Sequence, residues 1–117
     1  MIRKNIHTLI IPDIHGRTFW KEALNKFPKE QFPNLVIIFL GDYVDPYNFE
    51  NITREDAIVN FQEIINVAKS DNRIHLLIGN HDMHYWYNAE FKSRVDHKNY
   101  NKIKDMFLQN FELFNVA

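Results

Sequence analysis

The sequence predicts an α/β fold, with a mostly parallel sheet and flanking helices. Two observations support this prediction. Short apolar runs rich in β-branched residues alternate along the chain with longer stretches of helical spacing. Each apolar run is halted by a Gly or Asp turn signal. Because strands that alternate with helices are joined by crossover connections, we expect the strands to run parallel.

The predicted elements follow one another in regular alternation. Strands are predicted at residues 6–12, 35–40, 74–78 and 113–116. Helices are predicted at residues 18–27, 54–69 and 99–110, and polar loops at 49–52 and 87–98. Thr53 is predicted to cap the second helix, with Asp56 three residues later as in a capping box. The carboxyl ends of the parallel strands should therefore meet at one edge of the sheet.

The composition indicates a single soluble globular domain. A hydrophobic fraction of 45% in 117 residues is enough for one packed core. The 14 Lys and Arg against 15 Asp and Glu leave a net charge of -1, so nucleic acid is not an expected partner. Without cysteine, a metal would be held by oxygen and imidazole, which favours a cytoplasmic location. No segment approaches the roughly 20 apolar residues of a membrane span.

Three polar motifs follow the first three apolar runs. The first motif is DIHGR at residues 13–17, the second is GDYVD at 41–45, and the third is GNHD at 79–82. In open α/β sheets, ligands bind at the carboxyl ends of the strands. The three motifs are therefore expected to lie close together and to form one site.

The residue types in these motifs suit divalent metal ions. Asp13 and His15 are two residues apart, so on an extended backbone they would point the same way and could chelate one ion. Asp42 has two carboxylate oxygens, which could bridge two ions about 3.5 to 4 Å apart. Asn80 offers a neutral oxygen ligand. The predicted metal ligands are thus Asp13, His15, Asp42 and Asn80.

His81 and Asp45 are the predicted catalytic residues. His81, if it is not itself a ligand, is placed to donate a proton to a leaving alkoxide. Asp45 is the predicted orienting group, because a carboxylate bonded to one imidazole nitrogen fixes the tautomer of the ring.

Each motif also has a purely structural explanation. Asp13 could cap the following helix, Asp42 and Asp45 could be solvated turn residues, and Gly79-Asn80 is a common turn dipeptide. A single motif is therefore weak evidence. Three motifs in order, each behind an apolar run, favour a shared metal site.

Three further residues are predicted to contact substrate. Arg17 could bind a phosphate oxygen, or it could be an exposed arginine at a helix start. His84 is predicted to contact substrate or to pack, rather than to bind metal. Tyr43 could line an aromatic pocket for a base or phenyl group, or it could fill the core.

Taken together, the motifs resemble those of the calcineurin-like metallophosphoesterase superfamily, which includes the protein serine/threonine phosphatases and the symmetrical diadenosine tetraphosphate hydrolases. The resemblance spans residues 13–82 and implies the metal-binding and proton-donor roles given above. It also implies the N-terminal half of an α/β sandwich of two sheets with helices outside. The second motif departs from the phosphatase pattern, since Asp45 is followed by Pro46 and Tyr47 instead of Arg-Gly. The family's later metal-binding histidines would lie beyond Ala117, so residues 1–117 are expected to form a truncated metallophosphoesterase domain.

The predicted function is metal-dependent hydrolysis of a phosphorylated substrate by a metal-activated water, weak or incomplete in a single chain. The alternative is a non-catalytic metal-binding or interaction module derived from a phosphoesterase. The resemblance implies Mn, Fe or Zn ions, two in the complete family site and one or none here. Without a second sheet, an apolar sheet face would meet water, so we expect a homo-oligomer or a complementary chain to cover it. A membrane is not an expected partner.

Overall fold

The structure is a computed structural model and describes residues 7–86 and 95–115. Its sheet has four strands, each parallel to its neighbours, in the order β1-β2-β3-β4. The strands are β1 (Thr8–Ile11), β2 (Val36–Phe39), β3 (Ile74–Leu77) and β4 (Phe114–Asn115). The predicted α/β fold with a parallel sheet is therefore confirmed.

In the described part of the chain, four α-helices lie between these strands. They are α1 (Phe19–Lys26), α2 (Arg54–Ser70), α3 (Met83–Trp86) and α4 (Tyr100–Gln109). Short 3₁₀ turns occur at Asn48–Glu50 and Phe111–Leu113. The one-turn helix α3 was not predicted, because four residues are too few to show a helical period. Parts of three predicted elements, at residues 6, 87–94 and 116, lie outside the described residues.

The predicted cap of α2 is present. The Thr53 hydroxyl accepts a hydrogen bond from the N–H of Asp56 (2.9 Å), and the Asp56 carboxylate accepts one from the N–H of Thr53 (3.4 Å). This reciprocal capping box satisfies N–H groups that the first helical turn leaves without partners. Farther along α2, Phe61 and Ile65 are buried on its apolar side. The capping box and this apolar stripe together account for the longest helix of the described chain.

All three longer helices pack on the same face of the sheet. Trp20 of α1 contacts Phe39 of β2, with ring centroids 6.1 Å apart. Phe61 of α2 and Phe107 of α4 contact Phe114 of β4, at 6.0 and 5.0 Å. The strand register places Phe39 and Phe114 on one face. This one-sided arrangement is expected when right-handed crossovers connect strands whose spatial order follows the sequence.

The opposite face of the sheet is open in the described structure. Ile10 pairs with Ile38 across β1 and β2 and is 57% exposed, while Val36 is 38% and Leu40 40% exposed. None of the described helices covers this side. We call it the open sheet face, and its apolar members are Ile10, Val36, Ile38, Leu40 and Leu77.

Within the described ranges, the chain forms no helix with the length and apolar character needed to cross a bilayer. The cytoplasmic location predicted from the sequence stays a prediction.

Candidate metal centre

The three motifs follow β1, β2 and β3 at the carboxyl edge of the sheet. Backbone hydrogen bonds join the first two motifs directly. The N–H of His15 donates to the carbonyl of Asp42 (2.6 Å), and the N–H of Gly16 donates to the carbonyl of Tyr43 (3.1 Å). These bonds bring two loops that are distant in sequence to one edge of the sheet.

Asp13, His15 and Asp42 form a compact group of side chains at this edge. Each offers one ligand atom, and the three atoms lie within 4.8 Å of one another. Nε2 of His15 is 3.8 Å from Oδ2 of Asp42. Two carboxylates and one imidazole at this spacing can surround a single divalent cation. We call these three residues the metal cluster.

The hydrogen bonding of His15 suits a metal ligand. The side chain is only 2% exposed, and its Nδ1 lies 2.9 Å from the carbonyl oxygen of Val44. Since a carbonyl can only accept, Nδ1 donates to it, and Nε2 is the ring nitrogen that faces Asp42. A backbone carbonyl in this position is a common way to fix the tautomer of a metal-binding histidine. The donor set contains no thiolate and fits Mn²⁺, Fe or Zn²⁺.

The loops that carry the site have left-handed backbone at four non-glycine residues. The φ angles are 34° at Asp13, 44° at His15, 57° at Asp42 and 62° at Asp45. Such angles are uncommon and cost on the order of 1 to 3 kcal/mol each. The extended backbone predicted between Asp13 and His15 is therefore wrong. A tight turn, rather than the alternation of a strand, brings these two side chains together.

Asp82 joins the second and third motifs. Its carboxyl accepts hydrogen bonds from the N–H groups of Asp42 (2.7 Å), Gly79 (2.8 Å) and Tyr43 (3.1 Å). In return, Oδ1 of Asp42 accepts a hydrogen bond from the N–H of His81 (2.8 Å). Burial raises the pKa of Asp82 to about 8, while the three N–H donors oppose this shift by favouring the carboxylate. We call this reciprocal pair of contacts the Asp82 clasp.

Two glycines allow the second and third motifs to approach this closely. Gly41 has a φ of 108°, and a Cβ built on it would lie 2.8 Å from Oδ2 of Asp82. A Cβ on Gly79 would lie 2.7 Å from the backbone nitrogen of Asp42. Neither contact leaves room for a side chain, so the clasp requires glycine at both positions.

Asn80 lies in the turn between Gly79 and His81, and its side chain is exposed. The turn is held beside the metal cluster, because the neighbouring N–H of His81 donates to Asp42. The predicted role of Asn80 as a ligand of a second metal stays a prediction.

His81 and Asp45 face each other beside the metal cluster. Nδ1 of His81 is 3.6 Å from Oδ2 of Asp45, and the His81 ring meets the His15 ring edge-on with centroids 5.1 Å apart. Asp45 is 1% exposed. Burial raises the pKa of Asp45, while a hydrogen bond from Tyr85 and the nearby charge of Arg54 act to lower it. The arrangement allows Asp45 to orient the imidazole of His81.

Arg17 is held by a carboxylate that the sequence patterns did not point to. Its guanidinium donates to both oxygens of Glu50, with Nη2 to Oε1 at 2.6 Å and Nε to Oε2 at 2.8 Å. It also donates to the carbonyl of Asp13 (3.2 Å) and lies 5.3 Å from the ring centroid of Tyr47. The hydrogen bonds raise the pKa of Arg17 and lower that of Glu50. A phosphate bound by Arg17 would compete with Glu50, and this contact stays a prediction.

The other two predicted substrate contacts have buried side chains. The ring of Tyr43 stacks on Phe61 at 4.8 Å, and its hydroxyl donates to the carbonyl of Leu77 (2.7 Å). Burial raises the pKa of that hydroxyl well above its usual value. His84 is 2% exposed, and its ring lies 5.3 Å from the ring of His81. These positions give Tyr43 and His84 packing roles, and their contact with substrate stays a prediction.

The sequence patterns assigned no role to Asp82 or Glu50 and did not connect Tyr85 with Asp45, although each of these residues contacts a residue of the site. Asp82 could have been found from its place in the third motif. Glu50 contacts Arg17 across 33 positions of sequence, and Tyr85 contacts Asp45 across 40. No local pattern signals contacts of this kind.

A cluster of two carboxylates and an imidazole at the carboxyl edge of a parallel α/β sheet is typical of metal-dependent hydrolases. The family model of calcineurin-like phosphoesterases matches residues 6–117, and the chain belongs to this family. The family is metal-dependent, and the metal cluster is the candidate site for the ion. Neither the curated proteins nor the solved structures gave a match to the chain.

Proposed function

We propose that this chain is a metal-dependent phosphoesterase that hydrolyses a phosphorylated substrate. The observation that carries the proposal is the metal cluster, in which Asp13, His15 and Asp42 offer ligand atoms within 4.8 Å of one another. The cluster lies at the sheet edge where α/β proteins bind ligands. Membership of a phosphoesterase family favours a phosphoryl group as the electrophile.

The metal cluster would hold one divalent ion, Mn²⁺, Fe or Zn²⁺. When bound, such an ion polarises a phosphoryl oxygen and lowers the pKa of water, so that a nucleophile is available at neutral pH. Asp42, together with Asn80, would contribute to a second ion, as in the two-metal site that the family resemblance implies. Within the described residues, three side chains are placed to bind the first ion, so we expect this ion to bind in preference to the second.

His81 would donate a proton to the leaving alkoxide. Its ring lies beside His15, and Asp45 faces its Nδ1, so we assign the proton transfer to Nε2, the nitrogen that does not face Asp45. The separation of 3.6 Å between Nδ1 and Asp45 is long for a hydrogen bond. Such catalytic contacts often shorten only when substrate binds.

Hydrolysis of para-nitrophenyl phosphate in the presence of Mn²⁺ tests the proposal. Asp42→Asn removes one negative charge from the metal cluster, and we expect it to lower kcat/KM by at least about 100-fold, consistent with loss of a catalytic metal position. Asp105→Asn is the matched control, since Asp105 is exposed on α4. Equal activity of the Asp42 and Asp105 variants would contradict the assignment.

A second candidate function is a metal-binding or interaction module without turnover. It is favoured by the small number of ligands in the metal cluster, since three side chains can hold an ion without completing a two-metal site. Measuring Mn²⁺ binding and phosphatase activity together distinguishes the two functions. Mn²⁺ binding that depends on Asp42, with no phosphatase activity in the wild type, would identify the module.

We also propose that two copies of the chain associate through the open sheet face. Support comes from the exposed fractions of Ile10 (57%), Leu40 (40%) and Val36 (38%), which lie on one side of the sheet. Burial of apolar surface stabilises by roughly 25 cal/mol per Å², so covering this face would be favourable. The alternative outcome is that a complementary chain, and not a second copy, covers this face. Light scattering on the purified protein separates the two, because it would give the mass of a dimer in the first case and of a monomer in the second.

A further inference from the structure

Tyr85 lies in α3 and has no part in the function proposed above, yet it contacts the carboxylate that faces His81. Its side chain is completely buried, and its hydroxyl donates to Oδ1 of Asp45 (2.7 Å). The other carboxylate oxygen, Oδ2, is 3.6 Å from Nδ1 of His81. One carboxyl group thus connects the hydroxyl of Tyr85 to the imidazole of His81.

The direction of the hydrogen bond from Tyr85 is fixed by its second partner. The hydroxyl oxygen accepts a hydrogen bond from the N–H of Asp96 (2.9 Å). A tyrosine hydroxyl has a single proton, so that proton is available to Asp45. Nη1 of Arg54 lies 3.9 Å from Oδ1 of both Asp45 and Asp96 and adds a positive charge at the same oxygen.

We infer that Tyr85 is a positioning residue, which holds Asp45 in the rotamer that orients the imidazole of His81. The inference rests on the proposed function, in which His81 donates a proton to the leaving group. Without the hydroxyl, the carboxyl group of Asp45 loses its shortest side-chain hydrogen bond among those described and gains freedom to rotate. The ring of His81 would then lose its fixed orientation and tautomer.

The simpler explanation is that a buried tyrosine hydroxyl takes the nearest acceptor. That explanation predicts a loss of stability when the hydroxyl is removed, but no specific effect on His81. The two explanations therefore differ in what happens at the imidazole.

The test compares Tyr85→Phe with Tyr100→Phe. The control is closely matched, because the Tyr100 hydroxyl donates to the backbone carbonyl of His84 (2.6 Å) and its ring lies 5.3 Å from that of Tyr85. Each variant removes one oxygen and keeps the ring. The Tyr100 hydroxyl contacts a backbone carbonyl and not the carboxylate of Asp45.

The first readout is the imidazole nitrogen spectrum of His81 in metal-free protein, recorded above the pH at which the ring titrates. We expect the Nδ1–H tautomer in the wild type and in Tyr100→Phe, and a mixture of tautomers in Tyr85→Phe. The second readout is steady-state kinetics. Tyr85→Phe should lower kcat about tenfold with KM and Mn²⁺ affinity unchanged, as expected when a residue that orients the proton donor through Asp45 is lost. An unchanged His81 spectrum in Tyr85→Phe would overturn the inference.

A double variant tests whether Tyr85 acts through Asp45. In an Asp45→Asn background, adding Tyr85→Phe should lower kcat by less than twofold, because the two changes then remove the same interaction. Full additivity of the two losses would contradict the positioning role. If the wild type has no phosphatase activity, the proposed function fails, whereas the metal-free spectrum of His81 still tests the positioning of the ring.

Discussion

Replacement of Asp82 by alanine tests whether the Asp82 clasp holds the site together. The carboxyl accepts three backbone hydrogen bonds, from Asp42 (2.7 Å), Gly79 (2.8 Å) and Tyr43 (3.1 Å). A buried N–H group that loses its acceptor costs about 1 to 3 kcal/mol. Because water can reach part of this loop, we expect Asp82→Ala to lower the free energy of unfolding by roughly 3 to 6 kcal/mol in total. That is a large share of the about 5 to 15 kcal/mol typical of a domain.

Asp82→Asn provides a graded comparison. An amide oxygen at the position of Oδ2 would keep the bonds from Asp42 and Gly79 and lose only the bond from Tyr43. The expected loss is therefore about 1 to 3 kcal/mol. Mn²⁺ affinity should fall in the same order, by about tenfold or more for alanine, since the loop that carries Asp42 loosens.

The assay is urea unfolding followed by tryptophan fluorescence, paired with calorimetric titration of Mn²⁺. Asp105→Ala is the control, because Asp105 is an exposed carboxylate on α4. An alanine variant of Asp82 as stable as this control would show that the Asp82 clasp does not stabilise the fold. An asparagine variant that is no more stable than the alanine variant would contradict the graded loss of hydrogen bonds.

Three further predictions concern the rest of the molecule. Glu50→Gln should release Arg17 for a phosphate and lower KM for a phosphorylated substrate, so an unchanged or higher KM would contradict the competition proposed here. Hydrogen bonds from Arg73 lower the pKa of Asp71, so its contribution to stability is present above the usual pKa of about 3.9 and is lost as the pH falls through the lower native value. Asp71→Asn should therefore cost about 1 to 2 kcal/mol at neutral pH and less in acid, as measured by urea unfolding across pH. Leu40→Lys should shift the proposed dimer toward monomer in light scattering, and a wild type that is already monomeric would contradict the dimer.

The fold could be predicted from sequence because its signals are local. The run that became β2 is a continuous apolar stretch, and the run that became β3 is interrupted only by His75. The capping residue Thr53 marks the start of α2. The strand order then follows from short right-handed crossovers. The longer helices were predicted from their helical periodicity. The helix α3 was missed because a single turn is too short to show that periodicity.

The site was only partly predictable, because much of it depends on contacts between distant residues. The motifs identified the residues of the metal cluster by type and order. They could not reveal the left-handed backbone at Asp13 and His15, which replaced the extended geometry that the spacing implied. The same limit applies to Glu50 and Tyr85, whose partners lie far away in sequence.

Pulsed electron paramagnetic resonance of the Mn²⁺-loaded protein tests most directly whether the metal cluster binds a cation. We expect hyperfine coupling from an imidazole nitrogen of His15, because Nε2 faces Asp42 while Nδ1 donates to the carbonyl of Val44. This coupling should disappear in His15→Gln and persist in His97→Gln, whose histidine is exposed. Nitrogen coupling that survives unchanged in His15→Gln would show that His15 does not bind the cation.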